Sequence, residues 1–373
     1  MKKSTFSILC LEGAVLSFNV AAVAALIPSI AADFALSQFF VGKLIWLYMI
    51  PYGLAAFFYG PLVRAFDARR IELICIFLFS LANLLAALSQ NIAVLFIARF
   101  LMGLFGASVI PLGLILIAKR VKQNKRGRFI GIFFGSTFIA SLLGLFLSGL
   151  IHWRLIFLIP AVLGMILWAF MYFYLPNFKE GLSNLRFGYL VAFKNKKVIR
   201  IFIYIFIISL IYHAVQQWLG VYFSAQLLLS QFVISMLITL TSLSGIFGEF
   251  WGGHLADKLS RQRVVSMGIA SMVICIFALL LKLPLALLSL VMIFWGLGWT
   301  FNHVGLATML TDLPDEFLNE AASLNSGIRF ISGGIGAGLG GLIMQRSFNL
   351  GFILFGSALF LLLIFSRVFK LKH

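Results

Sequence analysis

Residues 73–88 read LICIFLFSLANLLAAL, and stretches like this recur along the whole chain. No other feature restricts the fold so severely. A helix crossing a bilayer needs about 20 predominantly apolar residues, and inside hydrocarbon each backbone group must be bonded within its own segment. A membrane barrel would show ten-residue alternating strands instead. With 62% hydrophobic and 11% charged residues, the 373-residue chain exceeds what a water-surrounded core conceals. Twelve runs are legible, at about 7–32, 38–62, 71–90, 93–119, 128–150, 154–175, 198–223, 228–254, 264–282, 284–310, 320–345 and 347–369. Their connections are short, as between antiparallel neighbours in a bundle. The longest, PNFKEGLSNLRFGYLVAFKNKK (176–197), has six runs on either side. The expected architecture is all-α and integral to the membrane. It comprises a six-helix bundle over 1–175, a cytosolic loop over 176–197 and a second six-helix bundle over 198–373.

The formal charge of +18 suggests a nucleic-acid partner until its placement is read. Of 29 Lys and Arg, all but six lie in the tails and the even-numbered loops. Four of the six (Lys43, Arg154, Lys282 and Arg346) mark the opposite ends, and Arg99 and Arg329 lie inside runs. Such a bias orients a chain with both termini in the cytosol. The clusters KRVKQNKRGR (119–128) and KNKKVIR (194–200) then orient the chain and touch anionic lipid. No nucleic-acid partner is expected.

Three local patterns are set aside. MKKSTFSILC starts like a secretion signal, but its apolar run continues to full membrane length, so the first helix is read as retained. Cys10, Cys75 and Cys275 are isolated in apolar runs and form no metal or disulfide pattern. GIGAGLGG (334–341) contains a G-x-G-x-x-G, but it lies inside an apolar run without a preceding strand. Small residues at that spacing let two membrane helices approach closely. No cofactor and no metal are expected.

The polar patch GGHLADKLSRQR (252–263), between runs 8 and 9, has a counterpart in GPLVRAFDARRIEL (60–73), between runs 2 and 3. Gly60, Leu62 and Arg70 align with Gly253, Leu255 and Arg263 at one offset of 193 residues. A repeated loop in two six-run halves is a parallel internal repeat, a design found in transporters. With these loops the sequence resembles the major facilitator superfamily, whose loops 2–3 and 8–9 carry G-x-L-a-D-r-x-g-r-r. The second copy matches through Gly253, Leu255, Ala256, Asp257, Lys258, Arg261 and Arg263. The first has Arg64 at the place of the family's Asp, with Asp67 displaced three residues on. ARFLMGLFGA (98–107) is similar to the family's fourth-helix motif through Arg99 and Gly103, and HWRLIF (152–157) to the turn after its fifth helix. The family's antiporters carry a Gly-Pro pair in helix 5, where this chain reads Gly144-Leu145. The resemblance covers essentially the whole chain. It implies a central cavity lined by helices 1, 4, 7 and 10.

Polar groups inside a membrane are costly and usually face a partner or a wet cavity. Glu12 and Asn19 lie seven apart in run 1, and Arg99 is in run 4. Ser209, His213, Gln216 and Gln217 form a stripe in run 7, while Thr300, Asn302 and His303 cluster in run 10. Run 3 is read as carrying only Asn83, and runs 6, 9 and 12 no charge in mid-run. Glu249 in run 8 and Arg329 in run 11 have matching depths, and are expected either as an ion pair or as separate cavity groups.

The proton-coupling candidates are Glu12, His213, Glu249 and His303, groups whose charge can change with access to water. Asn19, Arg99, Gln216, Gln217, Trp218, Trp299, Thr300, Asn302 and Arg329 are expected to line the substrate cavity, with Tyr222 and Trp295 as further aromatic contacts. The loop residues Gly60, Arg64, Asp67, Arg70, Gly253, Asp257, Lys258, Arg261 and Arg263 are expected to gate it. No P-loop is present, so the driving force must be a gradient. The expected function is proton-coupled export of a small amphipathic or neutral solute by a monomer in the cytoplasmic membrane. A sugar or organic-acid importer and a non-transporting sensor are the alternatives. No nucleophile–base or metal cluster suggests an enzyme.

Overall fold

The computed structural model describes residues 3–175, 195–311 and 315–368, and it is helical with no strand among them. The chain divides into two compact units, Met1–Phe187 and Gly188–His373. The first contains α1 (Lys3–Ser17), α2 (Ala22–Asp33), α3 (Gln38–Val41), α4 (Lys43–Ala65), α5 (Ala68–Ala87), α6 (Ile92–Gly106), α7 (Val109–Arg120), α8 (Gln123–Ser148) and α9 (Trp153–Tyr174). The second contains α10 (Lys196–Gln216), α11 (Leu219–Ala225), α12 (Gln231–Lys258), α13 (Arg261–Ala278), α14 (Leu285–Thr311), α15 (Asp315–Met344) and α16 (Phe348–Val368). Among the described residues eleven helical spans are long and apolar enough to cross a membrane, or twelve when α1 and α2 count as one span bent by 40°. Outward-facing side chains are apolar too: Ile274 is 70% and Leu342 67% exposed. Such surface suits lipid rather than water.

The two units repeat the same internal packing. In the first, α4 and α5 both pack on α6, α1 on α8 and α5 on α9. In the second, α12 and α13 both pack on α14, α10 on α15 and α13 on α16. The offset of 193 residues extends beyond the loops. The backbone of Gly103 in α6 lies against the Tyr48 carbonyl of α4, where a β-carbon would overlap it. Gly296 in α14 stands in the same relation to Thr241 of α12, at the same offset. Small residues let these backbones approach where side chains would hold them apart. Helix starts match as well. Ser37 accepts from the Phe40 amide and Ser230 from the Val233 amide. Asp67 accepts from the Arg69 amide and Ser260 from the Arg263 amide. Asp67 therefore occupies the position of Ser260 in the repeat and caps α5.

Two details depart from the expected straight spans. The first run breaks over residues 18–21, which carry neither Gly nor Pro. Gly144 of α8 lies against the Phe18 carbonyl at that break, where only a residue without a β-carbon fits. The glycines of α15 act in the same way. Gly336 and Gly340 meet the carbonyls of Leu210 and Ala214 in α10, and Gly341 meets the Trp218 ring, giving the close approach expected of GIGAGLGG.

Candidate functional site

The second unit presents an aromatic face centred on Trp299. Trp295, Trp299 and His303 recur every four residues of α14 and so share one side of that helix. The Trp299 ring stacks on Tyr212 of α10, with centroids 3.9 Å apart and planes 11° from parallel. Tyr212 also stacks on Trp295, at 5.2 Å. Tyr212 was not among the expected residues, although it lies one residue before His213, on the stripe that was read in run 7. His213 meets Trp299 edge-on at 5.4 Å. Its Nδ1 lies 2.8 Å from the Ser209 carbonyl, which assigns the ring proton to Nδ1 and leaves Nε2 as an acceptor. Gln216 accepts from the Trp295 indole N–H at 2.6 Å.

Three charged or titratable groups border this face. His303 Nδ1 is 2.6 Å from Glu249 Oε1, and the two side chains are 34% and 29% exposed. The Arg329 guanidinium lies 5.8 Å from the Trp299 ring, and its Nε donates to Asn325 at 2.8 Å. Arg329 also senses the Glu249 charge, although the direct partner of Glu249 is His303. Arg329 Nη2 is buried beside the indole plate and has no hydrogen-bond partner among the described residues, an unspent donor.

Several expected cavity residues are directed elsewhere. Thr300 donates to the Gly296 and Leu297 carbonyls of its own helix and packs on Gly248 of α12. Asn302, on the side opposite Thr300, donates to the Gly298 carbonyl and packs against Gly268 and Met272 of α13. Trp218 donates to the Ala337 carbonyl of α15 at 2.8 Å, and Tyr222 to the Leu279 carbonyl at 2.9 Å. Gln217 is half-buried.

The first unit holds its own polar interior. Arg99 is 1% exposed and meets no carboxylate among the described residues. Its Nε donates to the Leu44 carbonyl at 3.2 Å, and its guanidinium sits 4.3 Å from the Tyr48 ring centroid. That arrangement satisfies the charge by a cation–π contact and a carbonyl. Asn19, at the break between α1 and α2, donates to Asn83 of α5 at 2.6 Å. Glu12 is 1% exposed and faces Glu72 of α5, which is fully buried. Glu72 corrects the reading of run 3 as carrying only Asn83.

At the repeated loop, Asp67 Oδ2 lies 3.9 Å from Arg70, whose side chain is 80% exposed, a pairing of little energy. Gly253 and Arg261 are half-buried, and Lys258 and Arg263 exposed. The surroundings of Gly60 and the side chains of Arg64 and Asp257 lie outside the described residues. The backbone places Asp257 in the last turn of α12, where a helix dipole disfavours an acid. Among the described residues no group of three His, Cys, Asp or Glu could hold a metal ion.

Known proteins resemble this arrangement over nearly its whole length. A probable sugar efflux transporter of Helicobacter pylori (strain ATCC 700392 / 26695) is 25% identical over 91% of this chain and 88% of its own. Azole resistance protein 1 of Saccharomyces cerevisiae is 26% identical over 46% of this chain, which spans only 29% of that protein. The crystal structure of nucleoside transporter NupG superposes with a TM-score of 0.78 at 17% identity, covering 100% of both chains. The family description "Major Facilitator Superfamily" matches residues 9–337. Twelve-run architecture, repeated units and matched sequence converge: the chain is a multi-pass membrane transporter belonging to the Major Facilitator Superfamily.

Proposed function

We propose that this transporter exports a small neutral or amphipathic solute in exchange for protons, by alternating access, across the cytoplasmic membrane. We read it as a monomer with both termini in the cytosol, on the strength of its charge bias. The observation that carries the proposal is the partly open Trp299 face. A flat indole stacks on the apolar side of a ring-shaped solute, while Arg329 Nη2 donates and His213 Nε2 accepts at its polar edge. Such a face suits a sugar-like ring, and the H. pylori relative is named for sugar efflux. The face carries one acid, one arginine and two histidines, which does not favour a multiply charged anion. Proton exchange falls to Glu12 in the first unit and to Glu249, His303 and His213 in the second. The loop with Asp257, Lys258, Arg261 and Arg263 is read as a cytosolic latch using charge-assisted hydrogen bonds.

A nutrient importer is the second reading. Leu145 replaces the proline of the antiporter pair, and a nucleoside transporter shares the fold. The test is solute-evoked proton movement in proteoliposomes carrying a pH dye, with Glu12→Gln in parallel. Proton release against solute uptake, lost in Glu12→Gln, supports exchange. Co-entry of solute and proton supports import, and silence with every solute overturns both.

A further inference from the structure

We propose that Glu12 and Glu72 form one proton-binding site, a carboxylic acid and a carboxylate that share a single proton inside the first unit. This deepens the proton-coupled reading by naming the partner of Glu12. The two side chains come from α1 and α5, spans that run parallel, and both are at least 99% buried. They lie close enough to interact directly, and none of their four oxygens has a well-formed hydrogen-bond partner among the described residues, although the Ser108 hydroxyl lies near Glu72.

The nearby donors are neutral and have carbonyl or hydroxyl partners of their own. The Ser108 hydroxyl, between α6 and α7, lies within reach of Glu72 but donates to the Phe105 carbonyl at 3.1 Å. The Cys75 thiol of α5 donates to the Tyr59 hydroxyl of α4 at 3.3 Å. From α8, the neutral Phe133 and Thr137 pack against Gly13, next to Glu12. The basic residue of α9, Arg154, is bonded to Asp33 and to the carbonyls of Ala87 and Ser89. No described Lys or Arg touches the pair.

Two adjacent buried carboxylates without a cation beside them repel each other, and burial makes each charge costly. One proton held by the pair relieves both penalties. The protonated oxygen then donates to the facing carboxylate, and the pair carries one negative charge. Release is balanced simply: the O–H bond breaks, the proton leaves to water, and the pair goes from one negative charge to two. Such a state is tolerable only while water reaches the site, which ties proton release to a change in access.

Infrared spectroscopy of the full chain in lipid nanodiscs at neutral pH tests this without any transport. The wild type is expected to show a protonated-carboxyl C=O stretch that moves on exchange into D2O. Glu12→Gln and Glu72→Gln should each abolish it, because the carboxamide supplies the missing N–H donor to the remaining carboxylate. Absence of the band in the wild type overturns the proposal, and that arm needs no variant to fold. Persistence of the full band in Glu72→Gln overturns it as well. Bleaching of the band by sodium at constant pH identifies a sodium site and overturns it too. The outcome is separable from the transport reading: a band without solute-evoked proton movement keeps the pair and refutes exchange, while proton movement without a band refutes the pair alone.

Discussion

His303 Nδ1 lies 2.6 Å from a Glu249 oxygen, tying α14 to α12 at the edge of the indole face. Each side chain is partly exposed, although Nδ1 itself is buried in the contact. Groups in one such contact act as a unit, with interaction energies of about 0.5–3 kcal/mol. Glu249→Gln and His303→Gln are each expected to slow transport about tenfold, equivalent to about 1.4 kcal/mol. The double variant should be no slower than either single one. Transport rates of the three variants in proteoliposomes check this, and additive losses would contradict it.

Tyr48 offers a cleaner separation of ring from hydroxyl. Arg99 uses its ring, while the Tyr48 hydroxyl is buried with no partner. An unpartnered buried hydroxyl costs about 1–3 kcal/mol. Tyr48→Phe should therefore raise the thermal midpoint of the purified protein. Arg99→Lys should lower it by the equivalent of about 1–2 kcal/mol, because an ammonium cannot both stack on the ring and reach the Leu44 carbonyl. Equal stability of wild type and Arg99→Lys would show that charge alone matters.

The glycine pair related by the repeat predicts matched damage. Gly103→Ala and Gly296→Ala each push a methyl into a facing carbonyl, and overpacking of that kind costs about 1–3 kcal/mol. Gly131→Ala meets nothing within 4 Å, so it should leave stability unchanged or raise it by up to about 1 kcal/mol. Thermal unfolding in detergent distinguishes the three.

Trp299 is expected to dominate recognition. Trp299→Ala should weaken solute binding at least tenfold, and Trp299→Phe less, because a smaller ring keeps part of the stack. Arg329→Lys should weaken binding by removing Nη2, and should also lower stability by about 1 kcal/mol through loss of the Nε bond to Asn325. Titration with a panel of pentoses, hexoses, nucleosides and lipophilic cations reads both effects.

Much of this was legible in the sequence because lipid imposes long apolar runs and confines polar groups to protein interiors. The repeat announced itself in two loops, and coordinates extend it to Ser37 with Ser230 and Gly103 with Gly296. The bend in the first span was not legible, since residues 18–21 carry neither Gly nor Pro, and the glycine packed against that break, Gly144, is far away in sequence. Thr300, Asn302 and His303 looked like one cluster, yet successive positions on a helix point about 100° apart; the His303 ring meets Trp299, while Thr300 packs on α12 and Asn302 on α13. Glu72 was missed because it follows Asp67, Arg69 and Arg70 and read as part of that polar loop. Its spacing from Asn83, eleven residues or about three turns, puts both on one face, and that spacing was the available signal. Arg99 was singled out correctly as buried, but a ring and a carbonyl satisfy it rather than an acid.

Uphill solute movement under an imposed pH gradient tests the central claim most directly. In proteoliposomes with the cytosolic face outward and an acidic lumen, proton-driven export should concentrate a labelled sugar-like solute inside above its external level. A protonophore should collapse that accumulation. Equal internal and external concentrations with or without the gradient, or accumulation only with an alkaline lumen, would contradict the account.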